Sequence, residues 1–359
     1  MLYPIGIQSF SNIRDGGFAY VDKTRLVYQL ASTGKYYFLS RPRRFGKSLL
    51  VSTMEAYFSG QKELFKGLDI ESLEKDWTAY PVLHLDFTGS GYTSTSDLDA
   101  NLDHSLHKWE VRYGIDNESD DFPTRFKAAI ETAHEKTGKG VVILIDEYEK
   151  PIIDNIDNPE LMESFRRKLQ GFYSVMKGED ALIRFAFLTG VTKLGKMSIF
   201  SGLNNLNDIS MDNRYADICG ISEAELRSNF SESVAELAEA NDMNTDECYR
   251  KLAMMYDGYH FCEDSIGMYN PFSLLYTFYA NRFRNYWYET GTPSFLVRYL
   301  KQGNYNLDNI SKNDVPIETL TGANYKSPAS ITLMYQTGYL TIKNYDKRFN
   351  TYNLDYPNE

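Results

Sequence analysis

Five apolar residues in a row, Val141-Val142-Ile143-Leu144-Ile145, run straight into two acids, Asp146-Glu147. No other feature limits the fold so tightly. β-Branched and leucine side chains without a polar interruption suit a central parallel strand covered on both faces, because a half-solvated strand would alternate. The acids then emerge at the carboxyl end of the strand, the edge at which open α/β sheets bind ligands. Asp146 is placed to serve a cation, and Glu147 to orient and deprotonate an attacking water.

Roughly a hundred residues earlier stands Arg41-Pro42-Arg43-Arg44-Phe45-Gly46-Lys47-Ser48. It fills all but the first place of the pattern G-x-x-x-x-G-K-[ST], whose backbone N–H groups wrap phosphates while the lysine neutralises the outer ones and the hydroxyl binds Mg²⁺. Tyr36 to Leu39 forms a short buried strand before the loop, and Ser48 to Phe58 a helix after it. Such a helix start directs unpaired N–H donors and partial positive charge at a phosphate. The pair of motifs, in this order, implies a nucleoside triphosphate. The binding candidates are Arg43, Arg44, Phe45, Gly46, Lys47, Ser48 and Leu49. Ser48 and Asp146 are the candidate metal ligands, and Lys47 and Glu147 are catalytic candidates. Arg41 stands where the first glycine belongs, and arginine resists backbone angles that glycine permits.

Composition agrees. A chain of 359 residues has room for two or three domains and a substantial core. Its net charge of −11 argues against a broad nucleic-acid-binding surface. Residues 1–60 nevertheless carry eight basic against three acidic residues, which suits a polyphosphate better than a duplex. Three scattered cysteines, Cys219, Cys248 and Cys262, fit a reducing compartment rather than a disulfide or zinc framework. With no apolar leader and no run of membrane-spanning length, a cytoplasmic protein with no membrane association is expected. His104 and His107 share a helical face, but no third metal ligand accompanies them.

Between the motifs fall a strand at 82–87 and helices near 96–113 and 123–136. A helix from Glu160 to Lys177 follows, capped by Asn158 with Pro159 in its first turn. Leu182 to Leu188 is a further buried strand ending at Thr189-Gly190. Its position makes Thr189 a catalytic candidate that senses the γ-phosphate or the attacking water, with Thr192 as the second choice. This alternation predicts a parallel sheet with helices on both faces. Beyond about residue 212 helical periodicity takes over from Ser222 to Tyr256, with Glu223, Glu225, Glu232, Glu236 and Glu239 on a solvated side. Asn270-Pro271 caps another helix. A helix near 328–337 and a hairpin around Asp346-Lys347-Arg348 suggest a winged-helix-like end.

The residues also carry a likeness. Tyr20-Val21-Asp22-Lys23-Thr24, the loop at 41–48, Ile145 to Pro151, Ser201 to Leu206, Tyr269 to Ser273 and Thr290-Gly291-Thr292-Pro293 together resemble the bacterial AAA-ATPase-like family. That family is related to archaeal-type ATPases and the STAND signalling NTPases. The resemblance implies an ATPase core at 1–212, a helical lid at 213–300 and a winged-helix-like module at 301–359. It implies ATP and Mg²⁺ as cofactors and accommodates arginine in the first loop place. It makes Pro293 an adenine contact, with the segment carrying Asp22 flanking the base from the other side. Longer members carry a restriction-endonuclease-like nuclease domain, whose residue set is not found in this chain.

The expected function is Mg²⁺-dependent ATP hydrolysis coupled to motion between core and lid. The alternative is a nucleotide switch or scaffold of low turnover, signalling through ADP/ATP exchange to an effector. A third, weaker reading has Lys343, Lys347 and Arg348 contact DNA. The sequence leaves the oligomeric state open, a homo-oligomer included.

Overall fold

The computed structural model describes residues 1–358 except 90, 117–118, 201–202, 204, 288–293, 303–311 and 323–328. Its centre is a five-stranded sheet of β1 (Tyr36–Ser40), β2 (Val82–Asp86), β3 (Val141–Asp146), β4 (Ile183–Gly190) and β5 (Asn207–Asp208). All pairings are parallel, in the order β2-β3-β4-β1-β5. Successive side chains leave a strand on opposite faces. Tyr36 and Phe38 of β1, with Ile143 and Ile145 of β3, therefore meet the helices Thr95–Tyr113, Phe122–Thr137 and Pro159–Gly178. Tyr37, Leu39, Val142 and Leu144 face the other way, onto Thr24–Thr33 and Lys47–Phe58. Covered on both sides, β1 and β3 are buried along their whole length.

The helix caps follow their sequence signals. Asn158 accepts from the Leu161 N–H and Asn270 from the Ser273 N–H, each with proline in the first turn. The stretch from Ser222 to Tyr256 departs from one continuous periodicity, forming Glu223–Asn229, Ser231–Ala240 and Thr245–Tyr256. Two capping boxes, Ser222 with Glu225 and Asn244 with Glu247, start separate helices inside it. Glu225 is not simply solvated: it pairs with Lys23 at 2.5 Å and so ties this region to the segment at 20–24. The chain start crosses over too, since the Tyr3 hydroxyl donates to Ser233 Oγ at 2.7 Å and Val21 packs on the same helical cluster.

Two strand limits differ from expectation. β4 continues through Thr189 and Gly190, paired with Leu39 and Ser40 of β1. Near the carboxyl end, Thr341–Asp346 and Thr351–Asp355 form the hairpin, with its turn at 347–350. A third antiparallel strand, Lys312–Pro316, adds to Thr351–Asp355. The helix Ser330–Gln336 precedes the hairpin. Among the described residues no helix is long and apolar enough to cross a membrane.

Candidate functional site

The loop after β1 turns through two left-handed residues, Arg44 (φ 69°) and Gly46 (φ 93°), and Gly46 is the N-cap of helix Lys47–Phe58. Space is not the reason for glycine there, because a Cβ would meet nothing within 4 Å. The backbone angle is. Arg41 lies outside that region of angles, so the first loop place asks nothing of glycine. Its guanidinium, 1% exposed, donates to the carbonyls of Ser40 (3.0 Å), Ser210 (2.7 Å) and Tyr215 (3.1 Å) and sits 4.1 Å over the Phe261 ring. Burial pulls its pKa down from the usual arginine value. Arg41 thus staples the start of the loop to the chain beyond β5.

Lys47 is buried, and its ammonium donates to the carbonyls of Arg41 (3.1 Å) and Pro42 (3.3 Å). It also lies 3.7 Å from Glu147 Oε1. Loop lysine and post-strand carboxylate, a hundred residues apart in sequence, are therefore neighbours. Glu147 has φ 55°, a conformation that costs a non-glycine residue about 1–2 kcal/mol. Its flanks hold it there. Asp146 is in register with Asp86 of β2, while Tyr148 turns inward, its N–H on the Thr189 carbonyl and its hydroxyl on that of Leu194. The Thr189 hydroxyl donates to Asp146 Oδ1, so this threonine holds the buried carboxylate. Thr192 is fully buried and its N–H donates to Glu149.

Glu149 escaped sequence reasoning. It is fully buried, and Oε1 accepts from the N–H groups of Val191 and Thr192, both at 2.7 Å. Among the described residues Oε2 has no partner; it lies against Gly190, where any side chain would collide with it. Burial, reinforced by the charge on Glu147, pushes its pKa up to about 8 despite the Thr192 N–H. An acidic residue two places after another carries no sequence mark of burial.

Lys47 and Glu147 open onto a cleft of about 410 Å³ lined also by Arg43, Arg44, Gly46 and Ser48, with Lys150 and Phe272 as further walls that the sequence did not single out. Asp146, Glu149, Thr189 and Thr192 are not among the lining residues. Leu49 also lines it. Arg44 lies 5.0 Å over the Phe272 ring, and among the described residues neither Arg43 nor Arg44 makes an ion pair. Phe45 points away into the core, edge-on to Tyr259 at 4.8 Å. A smaller apolar recess of about 90 Å³ adjoins the cleft, sharing Gly46, Leu49 and Pro271 and walled by Tyr20, Val21 and Ile218. Asp22 is not among its lining residues; its carboxylate accepts from Thr24 N–H (2.8 Å) and Asp69 N–H (2.7 Å). Pro293 falls outside the described residues.

The described residues hold no group of three or more His, Cys, Asp and Glu side chains arranged for a metal. Ser48 lines the cleft, whereas Asp146 is buried, accepts from the Thr189 hydroxyl and is not among the lining residues. Hydroxyl and carboxylate oxygens are the donor types Mg²⁺ accepts beside water and phosphate.

Comparison with known proteins agrees with this architecture. The family model described as Predicted AAA-ATPase matches residues 4–200. A protein of Azotobacter chroococcum mcd 1, called "Uncharacterized protein in vnfD 5'region", is 40% identical over 362 residues, covering 99% of this chain and 67% of that protein. With its parallel sheet, its loop at 41–48 and this match over more than half its length, the chain belongs to the AAA-ATPase-like family of predicted ATPases.

Proposed function

We propose that this protein binds ATP in the cleft between the 41–48 loop and the carboxyl ends of β3 and β4, and hydrolyses it with Mg²⁺. One observation carries the reading: Lys47 and Glu147, from separate motifs, meet at 3.7 Å on the wall of one cleft. Lys47 holds the outer phosphates, and the loop amides with the helix N-terminus surround the rest. Ser48 and Asp146 hold the ion, which when bound neutralises charge across the phosphate oxygens. Glu147 orients water and takes its proton. Thr189 acts on the γ-phosphate side through the Asp146 carboxylate it holds. Arg43 and Arg44, lining the cleft and without ion pairs among the described residues, are available to phosphate charge. The apolar recess beside Tyr20 and Val21 suits the base.

The domain reading assigns 1–212 to the ATPase core, 213–300 to a helical lid and 301–359 to a winged-helix-like module. Helix Ser330–Gln336 with its three-stranded antiparallel sheet supports the last of these. Lid motion against the core would express the nucleotide state. Three buried, unpaired cysteines suit a reducing cytoplasm.

A low-turnover switch is the second reading, favoured by the contact of Lys47 with Glu147, which engages the base with the loop lysine. Calorimetry with ATP, ADP and Mg²⁺, followed by phosphate release from wild type and Glu147→Gln, separates the two. Hydrolysis predicts ATP binding in both proteins and turnover in the wild type alone. Binding with negligible wild-type turnover favours the switch. No heat with any purine nucleotide removes both.

A further inference from the structure

A second cavity, of about 250 Å³, lies behind the loop and shares no lining residue with the phosphate cleft. Tyr256, Tyr259, Trp287, Tyr339 and Tyr356 wall it with rings. Among the described residues that line it there is no Asp, Glu, Lys or Arg. Its polar groups are amides and hydroxyls, and one of them is unserved. Asn270, 1% exposed, accepts from the Ser273 N–H through Oδ1, which fixes the amide's orientation; among the described residues its Nδ2 has no partner. An unpaired buried donor costs about 1–3 kcal/mol. Native structures keep such groups where something else completes them. A single water occupies about 30 Å³, so the space exceeds what one solvent molecule needs to serve this amide. Apolar and aromatic walls with a few convergent polar groups are the mark of a small-molecule pocket.

The cavity also touches the loop. The Trp287 indole N–H donates to the Arg43 carbonyl at 3.2 Å. Tyr259 packs on Phe45, and a Cβ on Gly338 would approach Pro42 Cβ to 2.8 Å. The first turn of helix Pro271–Ala280 stands between the two spaces, with Phe272 lining the cleft and Asn270 and Ser273 lining the cavity.

We propose that this cavity binds an uncharged, planar heteroaromatic ring of nucleobase size, which stacks on its aromatic walls and accepts from Asn270 Nδ2, and that its occupancy alters nucleotide affinity at the loop. The absence of charge on the lining among the described residues selects a neutral ligand, and the rings select a flat one. Only the coupling rests on the ATP reading; the binding does not.

Adenine, cytosine and uracil are the probes, titrated into the full chain saturated with Mg²⁺-ADP and again into the chain alone, with tryptophan fluorescence and a thermal melt as readouts. At least one base should bind saturably, quench a signal lost in Trp287→Phe, and raise the melting temperature. Asn270→Asp keeps the helix cap but removes the donor, and Met255→Trp fills the cavity from its half-exposed rim; each should weaken binding by about tenfold or more. The favoured base should shift ADP affinity, and ADP the base's affinity, by the same factor. Absence of saturable binding by all three bases up to millimolar concentration overturns the proposal, as does binding that Met255→Trp leaves unchanged. If ADP itself fails to bind, the nucleotide reading falls while the base titration on the chain alone still decides the cavity.

Discussion

The cleft at the 41–48 loop and the aromatic cavity share one helix turn as a wall, yet they are built by opposite means. Most of the cleft's polar groups come from two short segments, 43–48 and 147–150, each following a buried strand. The cavity draws on five separated stretches, at 255–259, 270–273, 285–287, 338–339 and 356–358. A site whose chemistry is carried by local backbone geometry needs few residues and leaves a readable pattern. A site made by convergence of distant side chains leaves none.

The sharpest way to break this contrast is at Lys47. Its loss should weaken ATP binding by about a hundredfold or more, the cost of leaving phosphate charge unpaired in the cleft. Calorimetry on Lys47→Ala reads this directly, and the cavity variant Met255→Trp should leave the wild-type ATP affinity within about threefold in the absence of added base. A comparable loss in both variants would mean that the two spaces are one site.

Arg41 comes next. Arg41→Ala strands three buried carbonyls and opens a hole under the loop, so it should cost about 3 kcal/mol in chemical denaturation. Arg41→Gly, which restores the common motif, should cost no less, because the position does not use glycine's angles. A stabilised Arg41→Gly would refute the staple.

Glu149 gives a pH signature. Its folded pKa is raised, from the ordinary 4.5 to about 8, so its contribution is full below about 4.5 and is lost as pH rises toward about 8. The folded protein holds a proton there that the unfolded chain has released. Glu149→Gln keeps an acceptor for Val191 and Thr192 and removes the titration, so melting temperature should flatten between pH 5 and 8 relative to wild type. Parallel profiles for the two proteins would assign the pH dependence elsewhere.

The smallest effect is expected at Trp287. Trp287→Phe preserves a ring on the cavity wall and deletes the hydrogen bond to Arg43, a change of about 1 kcal/mol in stability. A much larger loss would show the indole to be a structural pillar.

Much of the fold was legible because its strands are apolar on both faces. The run at 141–145 could be little else; of the two acids after it Glu147 lines the cleft, while Asp146 is buried against the Thr189 hydroxyl and is not among the lining residues. The capped helices at Asn158 and Asn270 were equally plain. Strand order was not, because neighbours in a parallel sheet are chosen by crossovers rather than by the strands' own residues. Nor could spacing show that Arg41 plugs a polar hollow, that Glu225 reaches Lys23, or that Glu149 points inward while Glu147 faces the cleft. Those depend on which distant backbone arrives beside each side chain.

The insertion of β4 between β1 and β3 has a mechanical consequence. Leu39 and Ser40 are laddered to Thr189 and Gly190, the Arg41 N–H adds a bond to the Gly190 carbonyl, and Ile145 is laddered to Leu188. Sliding the loop relative to Asp146 and Glu147 would shear two ladders at once, deep in the buried interior. The loop and the two acids are thus mounted on one chassis, and under the proposed ATP reading a stroke driven by nucleotide would pass through the parts that lean on the loop from outside, at Tyr259, Trp287 and Gly338.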